Sequence, residues 1–195
     1  MNQATLDAIL PYGGKGRRGK LFLSKNCYSP ENALKLYQYL KMSLLDINNW
    51  RRRKSGISIN AILVDLYGRQ VGRIACVNDR IKIILPRWKS FLRIYDWFEI
   101  RRIEERMEGH TEIFFVTIVP SVDPQDDLSV PPESSKQVSS ATIFIIRDQN
   151  KVELQIHTRE RRIDFRGSTL KARLENIVES LFMHNRFTKA SGGNC

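Results

Sequence analysis

A chain of 195 residues is long enough for one domain with a sizeable core, and 42% hydrophobic with 27% charged residues excludes wholesale disorder. No apolar run approaches the ~20 residues that a membrane-spanning helix needs, so no membrane span is expected. The formal charge of +11 is skewed, because residues 1–60 carry 11 Lys or Arg against only Asp7, Glu31 and Asp46. Such asymmetry suggests a basic face able to attract polyanions.

In chain order, Met1 to Asp7 lacks the basic-then-apolar order of a secretory signal. Cys27, Cys76 and Cys195 are too scattered for a disulfide framework, so a cytoplasmic protein is expected. Residues 1–19 read as a flexible basic arm ending in Pro11-Tyr12-Gly13-Gly14-Lys15-Gly16-Arg17-Arg18-Gly19. Gly14 to Gly19 matches GxGxxG by letter. It lacks the preceding strand and following helix that dinucleotide binding requires.

A single α+β domain is expected over 20–188, opening with a short strand from Lys20 to Ser24. Ser29-Pro30 supplies an N-cap and a proline suited to the first helical turn. Ala33, Tyr37, Leu40, Leu44 and Ile47 then recur at the helical period and predict a helix to about Trp50. Arg51-Arg52-Arg53-Lys54 would close it, where cations favour the negative end of the helix dipole.

The middle of the chain reads as strands. Ile57 to Leu66 and Val71 to Val77 flank Tyr67-Gly68-Arg69-Gln70, and Arg80 to Leu85 stops at Pro86. Trp97 to Met107 and Glu112 to Val119 bracket Glu108-Gly109-His110-Thr111. Ile113 to Val119 is apolar on both sides, as a central strand would be. Residues 120–140 form a polar, proline-containing loop. Ala141 to Arg147 and Lys151 to Thr158 follow, the latter alternating Val152, Leu154 and Ile156 with Glu153, Gln155 and His157, which predicts one wet face. A closing helix from Ser168 or Thr169 would carry the stripe Leu170, Leu174, Ile177 and Leu181, and 189–195 would be a flexible tail.

This order predicts a curved antiparallel sheet of about seven strands packed against an N-terminal and a C-terminal helix. It suits the helix-grip arrangement of START-like proteins, which is a likeness of topology and not of function.

Candidate chemistry is sparse. Arg87 to Phe98 interleaves cations with aromatics, and Trp88, Phe91, Leu92 and Tyr95 fall at i, i+3, i+4 and i+7. With Trp97, these rings are candidates for a pocket or a partner surface. Candidate contacts for an acidic partner are Lys15, Arg17, Arg18, Lys20, Arg51, Arg52, Arg53, Arg159, Arg161 and Arg162. His110, His157 and His184 have no ligand partner at zinc spacing, so no metal is expected. Glu104, Glu105 and Glu108 lie among Arg101, Arg102 and Arg106, which predicts mutual pairing rather than acid–base chemistry. There is no nucleophile elbow and no Walker loop, so neither a catalytic residue nor a cofactor is expected. An enzyme site assembled only in three dimensions stays open.

Asp96-Trp97-Phe98-Glu99-Ile100-Arg101-Arg102-Ile103, Val119 to Pro124, Ser140 to Arg147 and Ile156-His157-Thr158-Arg159-Glu160 resemble an uncharacterised family of bacterial proteins of similar length. The resemblance runs in order from about residue 58 to 188. It departs at Leu85-Pro86-Arg87-Trp88, where the family has a Gly-Pro-rich loop. No activity attaches to that family, so the resemblance implies no catalytic residue. The expectation is a non-enzymatic binding protein with a basic face for an acidic protein or nucleic acid. The alternative is a helix-grip carrier or sensor of an apolar small molecule.

Overall fold

A computed structural model describes residues 9–10, 17–54, 57–85, 94–125, 140–160 and 188–189. Among these, the strands are β1 (Arg17–Asn26), β2 (Arg51–Lys54), β3 (Ile57–Val64), β4 (Arg80–Leu85), β5 (Ile94–Glu108), β6 (Thr111–Ser121), β7 (Ser140–Asp148), β8 (Lys151–Glu160) and β9 (Thr188–Lys189). They form one sheet in the order β2-β3-β4-β5-β6-β7-β8-β1-β9, with every pairing antiparallel. Helix α1 (Pro30–Leu45) packs across β7 and β8. The fold is therefore α+β, an antiparallel sheet with the N-terminal helix laid on it. The expected closing helix lies outside the described residues.

The start of α1 follows from its sequence. Ser29 holds an extended conformation and its side chain accepts a hydrogen bond from the Asn32 amide, while Pro30 fills a position whose N–H has no helical partner. Ala33, Tyr37, Leu40 and Leu44 are buried, as their spacing predicts. The helix ends earlier than expected. Asp46 leaves helical geometry, a single 3-10 turn spans Ile47–Asn49, and the buried Trp50 donates its indole N–H to the Ser43 carbonyl at 3.0 Å. Arg51 to Lys54 consequently does not close the helix. It forms β2, pairing from Arg51 opposite Asn60 to Lys54 opposite Ile57.

A second correction concerns Val71 to Val77, which is a loop and not a strand. Its first residue still pairs with β3, the Val71 amide donating to the Leu63 carbonyl at 3.1 Å, but beyond it backbone groups are claimed by side chains and by the end of α1. The Asn48 side chain donates to the Val71 carbonyl and accepts from the Leu63 amide, and the Ala75 amide donates to the Leu45 carbonyl. Buried Asp79 accepts from the Cys76 amide and takes a bidentate bond from Arg73 at 2.5 and 2.9 Å.

One irregularity sets the phase of β5. The register shifts between Ile100 and Arg102, so β5 carries one extra residue against β6. The bulge lets Phe98, Ile100 and Ile103 all join the core beneath α1, while Arg102, Glu104 and Arg106 take the opposite face. That core runs from Ala61 and Leu63 on β3 to Leu23 on β1. A smaller core on the other face joins Ile9 with Ile113, Phe115, Phe144 and Ile146.

Leu40 is fully buried at the centre of the α1 contact. Leu40→Ala should cost about 2–5 kcal/mol in urea unfolding, whereas Met42→Ala, on the exposed side of the same helix, should stay within about 0.5 kcal/mol. Equal losses would contradict this orientation of the helix.

Candidate binding face

The face turned away from α1 carries the polar chemistry. Strand register sets Arg102, Thr117, Thr142, His157 and Lys20 side by side across β5, β6, β7, β8 and β1. The next row is Glu104, Phe115, Phe144, Gln155 and Phe22. Thr117 and Thr142 are buried, and one hydroxyl donates to the other across 3.1 Å.

His157 completes the row. One ring nitrogen lies 3.1 Å from the Gln155 side-chain oxygen, and the ring stands edge-on to Phe144 at 5.4 Å. Burial, and then the charge of Lys20, lower its pKa to about 4, so the imidazole is neutral at pH 7. This corrects the expectation of a wet face on β8. Gln155 is buried and His157 half-buried, because Phe115, Phe144, Ile113 and Ile146 occupy the same side and pack with Ile9.

At the β5 end, Glu104 sits between Arg102 and Arg106, and both guanidinium groups lie over the Phe115 ring at 5.1 and 5.7 Å. Arg102 also donates to the Ile9 carbonyl. The hydrogen bond from Arg102 holds the Glu104 carboxyl below its usual range. Glu105 projects to the other face, where it bonds Lys41 and accepts the Tyr37 hydroxyl at 2.9 Å. Burial, then this hydrogen bond, push the Tyr37 phenol upward. The two glutamates therefore do not form an acid–base pair: Glu104 pairs with its interleaved arginines as the sequence predicts, whereas Glu105 is held by Lys41 and Tyr37 of α1 instead.

The basic candidates divide into two groups. Arg17, Arg18 and Lys20 lie on β1 and Arg159 on β8, with Arg18 opposite Arg159 and Lys20 opposite His157. Arg51, Arg52 and Arg53 lie on β2, with six strands between them and β1. Lys15, Arg161, Arg162, Trp88 and Phe91 lie outside the described residues. Tyr95 pairs with Ile84 as part of β5, so the expected helical stripe does not extend to it. Trp97 is half-buried opposite Lys82, whose ammonium lies 5.1 Å from the ring centroid.

Among the described residues no cluster of His, Cys, Asp and Glu could hold a metal ion. Nor is any helix among them long and apolar enough to cross a membrane. Sequence reasoning missed Ser140, Thr142, Thr117 and Gln155. For Ser140 and Thr142 the signal was present in Ser140-Ala141-Thr142-Ile143-Phe144-Ile145-Ile146, and for Thr117 in Ile113 to Val119, since each run is apolar on both sides and so implies shelter for its hydroxyls as well.

No family model matches the chain, and no curated protein does. It is similar to the solved structure of a hypothetical protein from Helicobacter pylori, at 8% identity and a TM-score of 0.48, covering 89% of this chain and 90% of that one. It is also similar to major latex-like protein 151 from Panax ginseng, at 10% identity and a TM-score of 0.41, covering 88% and 99%. A protein of unknown function from Staphylococcus aureus matches at 8% identity and a TM-score of 0.37, covering 85% and 83%. At such identity and superposition, none of these proteins lends this chain a site or an activity.

The lowered pKa of His157 has a measurable consequence. The unfolded chain takes up its proton near pH 6.5, whereas the folded protein does so only near 4. In that window the unfolded state binds more protons, so stability falls as the pH drops from about 6.5 towards 4. His157→Gln should flatten this part of the stability profile in urea titrations. An unchanged profile would mean that the imidazole is not desolvated.

Proposed function

We propose that the protein is a non-enzymatic binding protein that offers the cationic corner of β1 and β8 to an acidic partner. The observation that carries the reading is the register of that corner, Arg18 opposite Arg159 and Lys20 opposite His157. The register gathers basic positions on one short stretch of two paired strands, and such clustering attracts a polyanion. The neutral imidazole of His157, opposite Lys20, can donate or accept a hydrogen bond there. Arg161 and Arg162 follow β8 directly in sequence and would extend the contact, as would Lys15 before β1. Cys27 and Cys76 are unbridged thiols, which fits a reducing, cytoplasmic setting.

A second reading, a carrier or sensor of an apolar small molecule, draws on the width of the apolar face. Its residues extend from β3 to β1, whereas α1 lies across β7 and β8. Stoichiometric uptake of a fluorescent acyl-chain probe by the folded protein would favour this reading, and no uptake would remove it.

Labelled polyglutamate and a single-stranded oligonucleotide test the first reading by fluorescence anisotropy. Binding should weaken steeply with salt, and Lys20→Glu and Arg159→Glu should each reduce affinity by about tenfold. The preferred probe tells an acidic protein from a nucleic acid. No binding at low salt, or variants that bind like the wild type, would refute the assignment.

A further inference from the structure

A different basic element has a geometry of its own. β2 begins the sheet and, among the described residues, has a neighbour on one side only, β3. All four of its residues are cations, Arg51, Arg52, Arg53 and Lys54. An edge strand presents a row of backbone N–H and C=O groups that can pair with another extended chain.

We propose that the outer edge of β2 accepts an extended acidic peptide as an added strand. Successive strand residues alternate between faces, so positions 51 and 53 share one face of the sheet and positions 52 and 54 the other. A glutamate- or aspartate-rich strand laid along this edge repeats at the same spacing. It would set acidic positions opposite basic ones, and opposite charges at facing strand positions stabilise such pairing. Backbone hydrogen bonds supply the affinity and the charges the selectivity. A polynucleotide matches this edge less well, since it has no N–H and C=O ladder with which to continue the sheet.

The position of β2 makes the inference independent of the β1–β8 corner, because five strands intervene. It also separates two roles for the cations. Charged edges protect sheets against self-association, and that role alone needs no ligand.

The test uses the full chain and a labelled octaglutamate, compared with the same peptide N-methylated at alternate residues. The unmodified peptide should bind, and methylation on the pairing edge should weaken it by about tenfold. Arg51→Gln combined with Arg53→Gln should abolish the difference between the two peptides, whereas Lys20→Glu, which weakens the β1–β8 corner, should lower binding of both and leave that difference in place. Equal binding of the methylated peptide would overturn the proposal, since charge alone would then suffice. So would a β2 variant that self-associates yet binds the peptide unchanged, or displacement of the peptide by a tighter-binding single-stranded oligonucleotide. Because the methylation comparison is made on the unaltered protein, it decides the matter even if the β2 variant does not fold.

Discussion

Ile113 to Ile118 and Ala141 to Ile146 are buried at every position, so both faces of β6 and β7 must be sheltered before either strand can leave water. Each large apolar side chain buried there contributes about 1.5–3 kcal/mol relative to exposure. Shelter on one face comes from α1 through Ala33, Tyr37, Leu40 and Leu44. On the other it comes in part from Ile9, which packs with Phe115 and Phe144. The β5 bulge serves the same requirement, because without it Ile100 and Ile103 would not both reach the α1 side.

A dry centre decides where charge can go. Ionised groups in the interior are costly unless paired and hydrogen-bonded. The middle rows accordingly hold a hydroxyl pair, Thr117 with Thr142, and a neutral imidazole, His157. Where cations do reach the central face they are tied down, as in the Arg102–Glu104–Arg106 bridge over Phe115. Other cations are spread over the fold, such as Lys82 on β4 and Arg147 paired with Glu112, but the basic clusters lie towards the margins, at β1 and β8 on one side and at β2 on the other. The binding proposals therefore concern the margins of the sheet rather than its middle.

Local signals in the sequence were enough for α1, because the Ser29 cap, Pro30 and the apolar stripe all act within a few residues of one another. The hairpins β5–β6 and β7–β8 were legible for the same reason. Signals failed where a distant contact decided the outcome. Arg51 to Lys54 has the composition of a helix end, and only pairing with β3 makes it a strand. Val71 to Val77 has apolar letters at strand-like positions, yet Asn48, Leu45 and Asp79 occupy its backbone groups. His157 reads as exposed by alternation within β8, whereas its burial depends on a face shared with Phe115 and Phe144 and on a segment nearly 150 residues earlier, at Ile9. The basic residues were found from composition, but their division between two edges required the strand order.

Residue-resolved native-state hydrogen exchange tests the two-sided shelter of the central strands most directly. Amides of Ile113 to Ile118 and Ala141 to Ile146 should exchange slowest, at the rate set by global unfolding, while those of Arg51 to Lys54 exchange among the fastest in the sheet. Rapid exchange in β6 and β7, with the slowest amides in β3 or β4 instead, would contradict it.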